Sequence, residues 1–257
     1  MYQKIQNVVA VAVVLGLGTL GAWAGPKVDA EAAKAALKGV VHLSDDDVRF
    51  HTKDGRVVFV DPVSGPKAPI VAKAGLGKPD LILVTHPHGD HFQAAVLKEY
   101  VALNPAVVLA GPRDVTDKAR QEGLSQMKTV EAGQKYEMAG VKFEAVPAYF
   151  LEGDSHPKQN GWLGYVLALN GHRYYVTGDT QAIPETANVR VDVAMPLLFG
   201  CGGNSANALK IAQSAQATLV VPVHHGDQVE VAKKFVASLP EGVSGAYYIG
   251  GGLTVGR

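Results

Sequence analysis

The sequence predicts an α/β fold of two mixed sheets with helices packed on the outside. Short strands alternate with helices in both halves of the chain, and hairpin turns are indicated at Lys53-Asp54-Gly55 and at Asn170-Gly171. The 257 residues are 47% hydrophobic and contain no low-complexity linker. A chain of this length and composition can bury a sizeable core, so we expect one domain whose halves share an element order.

Apolar spacing and turn residues predict the individual elements. In the first half they are a helix at residues 28–38, strands at 48–51, 56–61, 80–85, 106–110 and 141–146, and helices at 91–101 and 114–122. In the second half they are strands at 164–168, 173–177, 191–196, 219–223, 245–249 and 253–255, and helices at 205–216 and 229–238. We expect Asp114 to be the N-cap of its helix.

The N-terminus has the layout of a secretory signal peptide. Lys4 precedes an uncharged apolar run from Val8 to Leu20, and an Ala-x-Ala pattern ends at Ala24. We therefore expect a signal peptide at residues 1–24 and one mature domain at 25–257, periplasmic or secreted and without stable membrane association after cleavage. The alternative is an uncleaved anchor, for which the apolar stretch is near the lower limit of length.

Charge and cysteine content exclude several classes of protein. Lys+Arg and Asp+Glu both number 24, and a neutral chain lacks the basic excess of nucleic-acid or anionic-membrane binders. A small phosphorylated substrate is compatible with this balance. Cys201 is the only cysteine, so no internal disulfide can form. We expect Cys201 to be buried and inert, with a metal-ligand or nucleophile role as alternatives.

Four potential metal ligands crowd into the hexapeptide that follows the apolar strand at 80–85. They are His86, His88, Asp90 and His91. So many ionisable side chains at the end of a buried strand need a shared partner, and a divalent metal is the simplest one. Imidazole and carboxylate ligands favour zinc, with manganese or iron possible.

Further candidate ligands follow later strands. Asp179 ends the strand at 173–177 through Gly178, His224 and His225 follow the strand at 219–223, and His156 lies in a loop. Other polar residues have a simpler interpretation. We expect surface positions for His42, His51, His172 and Asp154, a solvated turn for Asp45-Asp46-Asp47, and a structural carboxylate in Asp61.

Together these motifs resemble the metallo-β-lactamase superfamily. The resemblance is carried by His86-x-His88-x-Asp90-His91, His156, Gly178-Asp179-Thr180 and Pro222-Val223-His224, and it spans roughly residues 48–226. A closer likeness, to the branch of metal-dependent hydrolases related to ascorbate-6-phosphate lactonase, rests on His156-Pro157-Lys158, residues 161–165 and residues 175–179.

The resemblance implies a four-layer αββα sandwich with two divalent ions in the cleft between the sheets. His86, His88 and His156 would hold one ion, and Asp90, His91 and His224 the other. Asp179 would bridge them, and Asp90 would also orient a hydroxide nucleophile. His225 remains an alternative to His224, or a weak candidate for substrate binding.

Residues around this cleft say little about the substrate. The glycine-rich loop 199–204 could approach the substrate closely, and its Asn204 is a weak candidate for substrate binding. Tyr149, Phe150 and Trp162 could line the cleft or belong to the core.

The main hypothesis is a hydrolase for an ester, lactone, amide or phosphoester of a small molecule. The alternatives are a β-lactam-hydrolysing enzyme and a non-enzymatic metal- or ligand-binding module. The oligomeric state stays open.

Overall fold

The computed structural model describes residues 28–43, 46–67, 77–200, 202–226, 228–249 and 252–255. The expected signal peptide and Cys201 lie outside these ranges. Within them, no helix is both long enough and apolar enough to cross a membrane.

The described strands form two mixed sheets, one from each half of the chain. In the first sheet the strands lie in chain order, antiparallel from β1 to β3 and parallel from β3 to β6. These strands are β1 (Val40–His42), β2 (Val48–His51), β3 (Val57–Val60), β4 (Leu81–Leu83), β5 (Val108–Gly111) and β6 (Lys128–Thr129).

The second sheet also follows chain order. It is antiparallel from β7 to β10, parallel from β10 to β13, and closed by an antiparallel β14. Its strands are β7 (Lys135–Met138), β8 (Val141–Pro147), β9 (Leu163–Leu169), β10 (His172–Val176), β11 (Val193–Met195), β12 (Leu219–Val220), β13 (Ser244–Ile249) and β14 (Gly252–Val255).

Three apolar clusters produce the predicted four layers. Alternate residues of β3 show how: Val58 and Val60 face the second sheet, while Val57 and Phe59 face outward under helices. Because both faces of the strand are buried, its sequence is continuously apolar. The helices are α1 (Ala30–Ala36), α2 (Ala94–Leu103), α3 (Arg113–Gln121), α4 (Ser205–Ser214) and α5 (Val229–Ala237).

The outer layers confirm the αββα sandwich. Residues of α2 and α3 pack on the first sheet, and residues of α4 and α5 pack on the second. Between the sheets lies the largest cluster, which includes Phe50, Tyr165 and Tyr174. The parallel strands β4, β10 and β12 end at one edge of this sandwich, which is where open α/β sheets place ligand sites.

Local turn chemistry explains which elements were predictable. The turn at Asn170-Gly171 has φ values of 57° and 90°, the backbone that a tight hairpin requires. The turn between β7 and β8 adopts similar angles at Ala139 and Gly140, and it was missed because alanine does not signal this conformation. The N-cap prediction was wrong: Pro112 is the N-cap of α3, and Asp114 lies in its first turn.

Candidate metal centre

The hexapeptide after β4 folds back on itself, so its side chains converge instead of alternating. A turn occupies residues 87–91, and Phe92 N donates to His88 O at 2.8 Å. His86 and His91 are buried, His88 is half-buried and Asp90 is exposed to solvent on one side. The turn therefore presents four side chains around one point at the end of the strand.

Three histidines form a first group. His86, His88 and His156 each offer a ligand atom, and these atoms lie within 4.8 Å of one another. His86 Nε2 is 3.1 Å from His88 Nδ1. His156 reaches this group from the loop between β8 and β9, which is closed by a hydrogen bond from Phe150 N to His156 O at 2.8 Å.

A carboxylate and two histidines form a second group. Asp90, His91 and His224 also place one ligand atom each within 4.8 Å of the others. His224 Nε2 lies 3.4 Å from Asp90 Oδ2. His224 adopts a left-handed backbone with φ of 54°, and its Nδ1 is 2.8 Å from Phe199 O, which directs Nε2 toward Asp90.

Asp179 lies between the two groups. Its Oδ2 is 3.3 Å from His156 Nε2 and 3.8 Å from His86 Nε2, on the side of the first group. Its Oδ1 is 3.5 Å from His91 Nε2 and 3.8 Å from His224 Nε2, on the side of the second. Each oxygen thus faces one group.

The unpaired atoms at this point fit divalent cations. Both oxygens of Asp179, both ring nitrogens of His156 and Nε2 of His91 are buried and make no hydrogen bond with the described residues. Burial and the neighbouring His91 lower the pKa of His86, which favours its neutral, ligating form. Buried polar atoms without partners are costly, and a cation shared by nitrogen and carboxylate ligands removes that cost.

Two carboxylates lie behind His91. Asp61 Oδ2 is 2.8 Å from His91 Nδ1, and Asp61 also accepts hydrogen bonds from Thr85 N at 2.7 Å and Thr85 Oγ1 at 2.6 Å. Asp46 Oδ2 is 3.6 Å from His91 Nδ1. Burial lowers the pKa of His91, but the hydrogen bond and the charges of Asp61, Asp46 and Asp179 outweigh it and raise the pKa to about 10.

These positions correct several expectations. Asp46 and Asp47 are fully buried, so the prediction of a solvated turn was wrong for both. Asp61 is structural as predicted and also orients a candidate ligand, a role that sequence spacing does not reveal. His42 is 3% exposed and its ring packs against His225 at 5.3 Å, so its surface prediction was wrong too. His51 and His172 are half-buried, and Asp154 is exposed.

The two weak candidates for substrate binding, Asn204 and His225, lie in different surroundings. Asn204 is the N-cap of α4, where its Oδ1 accepts from Asn207 N at 2.9 Å, and it borders a cavity of about 320 Å³ with Gln181 and Lys210. His225 is buried beside His42 and belongs to neither ligand group.

Of the three aromatic residues that were expected to line the cleft or belong to the core, two contact the candidate metal centre. Trp162 packs against the first histidine group, and Phe150 packs on His156 with ring centroids 4.4 Å apart. Tyr149 instead donates a hydrogen bond to Glu185 Oε2 at 2.8 Å.

Comparison with known proteins agrees with the fold. The model of a family described as "Beta-lactamase superfamily domain" matches residues 56–225. A UPF0173 protein of Pyrococcus furiosus is 32% identical over 180 residues, covering 68% of this chain and 78% of its own length. A UPF0173 metal-dependent hydrolase of Polynucleobacter asymbioticus is 28% identical over 204 residues, covering 69% of this chain and 70% of its own.

A solved structure is similar over most of the fold. The protein from Parabacteroides distasonis, named as a candidate metal-dependent hydrolase, has a TM-score of 0.67 at 25% identity. The match covers 81% of this chain and 91% of that protein.

An αββα sandwich with a histidine- and aspartate-rich centre at the ends of its parallel strands defines the metallo-β-lactamase fold class. With a family match over residues 56–225, the chain belongs to the beta-lactamase superfamily. The closer likeness to the lactonase-related branch stays a prediction.

Proposed function

We propose that the protein is an exported hydrolase that uses two divalent metal ions to cleave an ester, lactone, amide or phosphoester of a small molecule. The observation that carries the proposal is Asp179, whose two oxygens face two separate ligand groups. The names of the relatives, in which metal-dependent hydrolase recurs, support the same class of activity.

The proposal assigns each ligand group to one metal ion. His86, His88 and His156 would hold one ion, Asp90, His91 and His224 the other, and Asp179 would contact both. Zinc suits these ligands best, with manganese or iron as alternatives. Such ions, when bound, lower the pKa of water toward neutrality and polarise the oxygen of the group under attack.

Asp90 is the residue that we assign to the reaction itself. Its side chain is 41% exposed, whereas Asp179 is buried, so water reaches Asp90 more readily than Asp179. A carboxylate in this position accepts a hydrogen bond from the attacking water and thereby orients it. His91 and His224 are each held by an acceptor on Nδ1, the nitrogen opposite the one that faces the ligand group: Asp61 for His91 and Phe199 O for His224.

The decisive experiment compares Asp179→Ala with Asp154→Ala. Metal content is measured by elemental analysis, and turnover by a panel of chromogenic esters, lactones, phosphodiesters and a cephalosporin. We expect the unmodified protein and Asp154→Ala to bind two ions, and Asp179→Ala to lose most of its metal and turnover. An Asp179→Ala protein with full metal content and full turnover would overturn the proposal.

Export is tested separately. We expect cells that produce the full chain to release a protein whose first residue is Gly25. Recovery of an uncleaved, membrane-bound chain would support the N-terminal anchor instead.

A further inference from the structure

The indole of Trp162 packs against all three rings of the three-histidine group, which consists of His86, His88 and His156. Its ring centroid lies 5.0 Å from that of His86, 4.9 Å from that of His88 and 5.0 Å from that of His156. Trp162 is buried, with 6% of the residue exposed. In the described part of the chain, all ring contacts of Trp162 are with these three histidines, so its packing restricts the rotation of all three rings at once.

Helix α3 holds the indole of Trp162 in place. Trp162 Nε1 donates a hydrogen bond to Asp114 Oδ2 at 3.2 Å, although the two residues are far apart in sequence. One turn further along α3, Lys118 Nζ donates to Pro87 O at 2.6 Å, the carbonyl between His86 and His88. Helix α3 therefore makes hydrogen bonds to both the indole and the backbone of the turn that carries the histidines.

The second ligand group has a different support. His91 is oriented by Asp61, and His224 by Phe199 O, so the hydrogen bonds that orient these two rings come from outside α3 and the indole. A change in α3 should therefore affect one group and spare the other. The two groups can be distinguished experimentally for this reason.

We propose that Trp162, held by Asp114, is a positioning residue that sets the metal affinity of the three-histidine group and not that of the second group. The inference rests on the proposed function, because it presumes that both groups bind metal. Its physical basis is preorganisation: ligands already fixed in position lose less rotational freedom when the ion binds.

Zinc titration in competition with a chromophoric chelator tests this. We expect Asp114→Ala and Trp162→Phe each to weaken one of two zinc equivalents about 10-fold, at the lower end of the usual effect of residues that support metal ligands. Asp114→Asn keeps an acceptor for the indole and should retain the original affinity. Asp117→Ala, a change on the same helix at a residue that pairs with Arg120, is the matched control.

Three further measurements separate positioning from general damage. The double variant Asp114→Ala with Trp162→Phe should bind zinc no more weakly than Trp162→Phe alone, because both changes break the same hydrogen bond. Metal-free Asp114→Ala should unfold in a single cooperative transition, at a somewhat lower temperature than Asp117→Ala because the indole N–H loses its acceptor. In a Trp23→Phe background, the emission of Trp162 should change with the same zinc equivalent that Asp114→Ala weakens.

The outcomes are distinguishable. Two zinc equivalents of unchanged affinity in Asp114→Ala and Trp162→Phe would overturn the inference and leave the proposed function intact. Equal weakening of both equivalents would also overturn it. A parent protein that binds no zinc, manganese or iron would overturn the proposed function as well.

Discussion

His91 Nδ1 lies 2.8 Å from Asp61 Oδ2, and both groups are fully buried. The contact leaves Nε2 of His91 directed at Asp179 and Asp90. Asp61 thus selects which ring nitrogen faces the metal centre, a role common among carboxylates behind metal-binding histidines.

Asp61→Ala should therefore weaken metal binding about 10- to 100-fold at the proposed second site, which includes His91. The change also leaves Thr85 N and Oγ1 without their acceptor, which should destabilise the metal-free protein by about 1–3 kcal/mol. Chelator competition and urea unfolding measure the two effects. Unchanged affinity for both ions would show that His91 keeps its orientation without Asp61.

A side chain at Gly200 should disturb the position of His224. Its φ is 76°, and a Cβ would lie 3.2 Å from His224 Cε1. Gly55 provides the control, because its φ is 86° but a Cβ there meets nothing within 4 Å. Both alanine variants should lose about 1 kcal/mol of stability through the left-handed backbone. Only Gly200→Ala should also lose metal affinity, and equal metal binding by the two variants would contradict this.

Arg49 should be one of the most sensitive positions outside the centre. Its buried guanidinium donates to both oxygens of Asp47, at 2.7 and 2.8 Å, and to Tyr100 and Ser64. Arg49→Met leaves Asp47 buried without its partner, so we expect a loss of about 3–5 kcal/mol in urea unfolding.

Two comparisons test the cause of that loss. The double change Asp47→Leu with Arg49→Met should recover part of the stability, because no uncompensated charge remains. Arg120→Met removes an exposed pair with Asp117 and should change stability little. A double variant less stable than Arg49→Met would argue against an uncompensated charge as the cause.

Buried tyrosines predict loss of stability at alkaline pH. Burial raises the pKa of Tyr174 to about 12 and also raises the pKa values of Tyr165, Tyr175 and Tyr248. An unfolded tyrosine ionises near pH 10. The protonated tyrosines contribute their full stabilisation of the folded state below that pH. This contribution is lost as the pH rises toward the pKa of the folded state, because the unfolded state releases its protons first.

Urea unfolding of the metal-free protein between pH 8 and pH 11.5 measures this. Tyr174→Phe loses a hydrogen bond to Ala36 O and should be less stable at pH 8. Its stability should then fall less steeply above pH 10 than that of the parent. Parallel pH dependences would show that Tyr174 does not contribute.

Much of the fold was predictable because its signals are local. The apolar strand before His86, the turn at Asn170-Gly171 and the spacing of the histidine hexapeptide each involve neighbours in sequence. β1, β6 and β7 were missed because they are short or half-polar, and their pairing with adjacent strands decides their structure.

The sequence by itself determined the αββα layers, the residue types of the candidate metal centre and the membership of the beta-lactamase superfamily. Only the tertiary structure decided that Asp46 and His42 are buried, that Asp61 orients His91, and that Asp114 reaches Trp162. Hydrophobic periodicity reports which face of one element is buried. The partner of a polar side chain depends on which distant segments meet, and a single sequence carries no local signal for that.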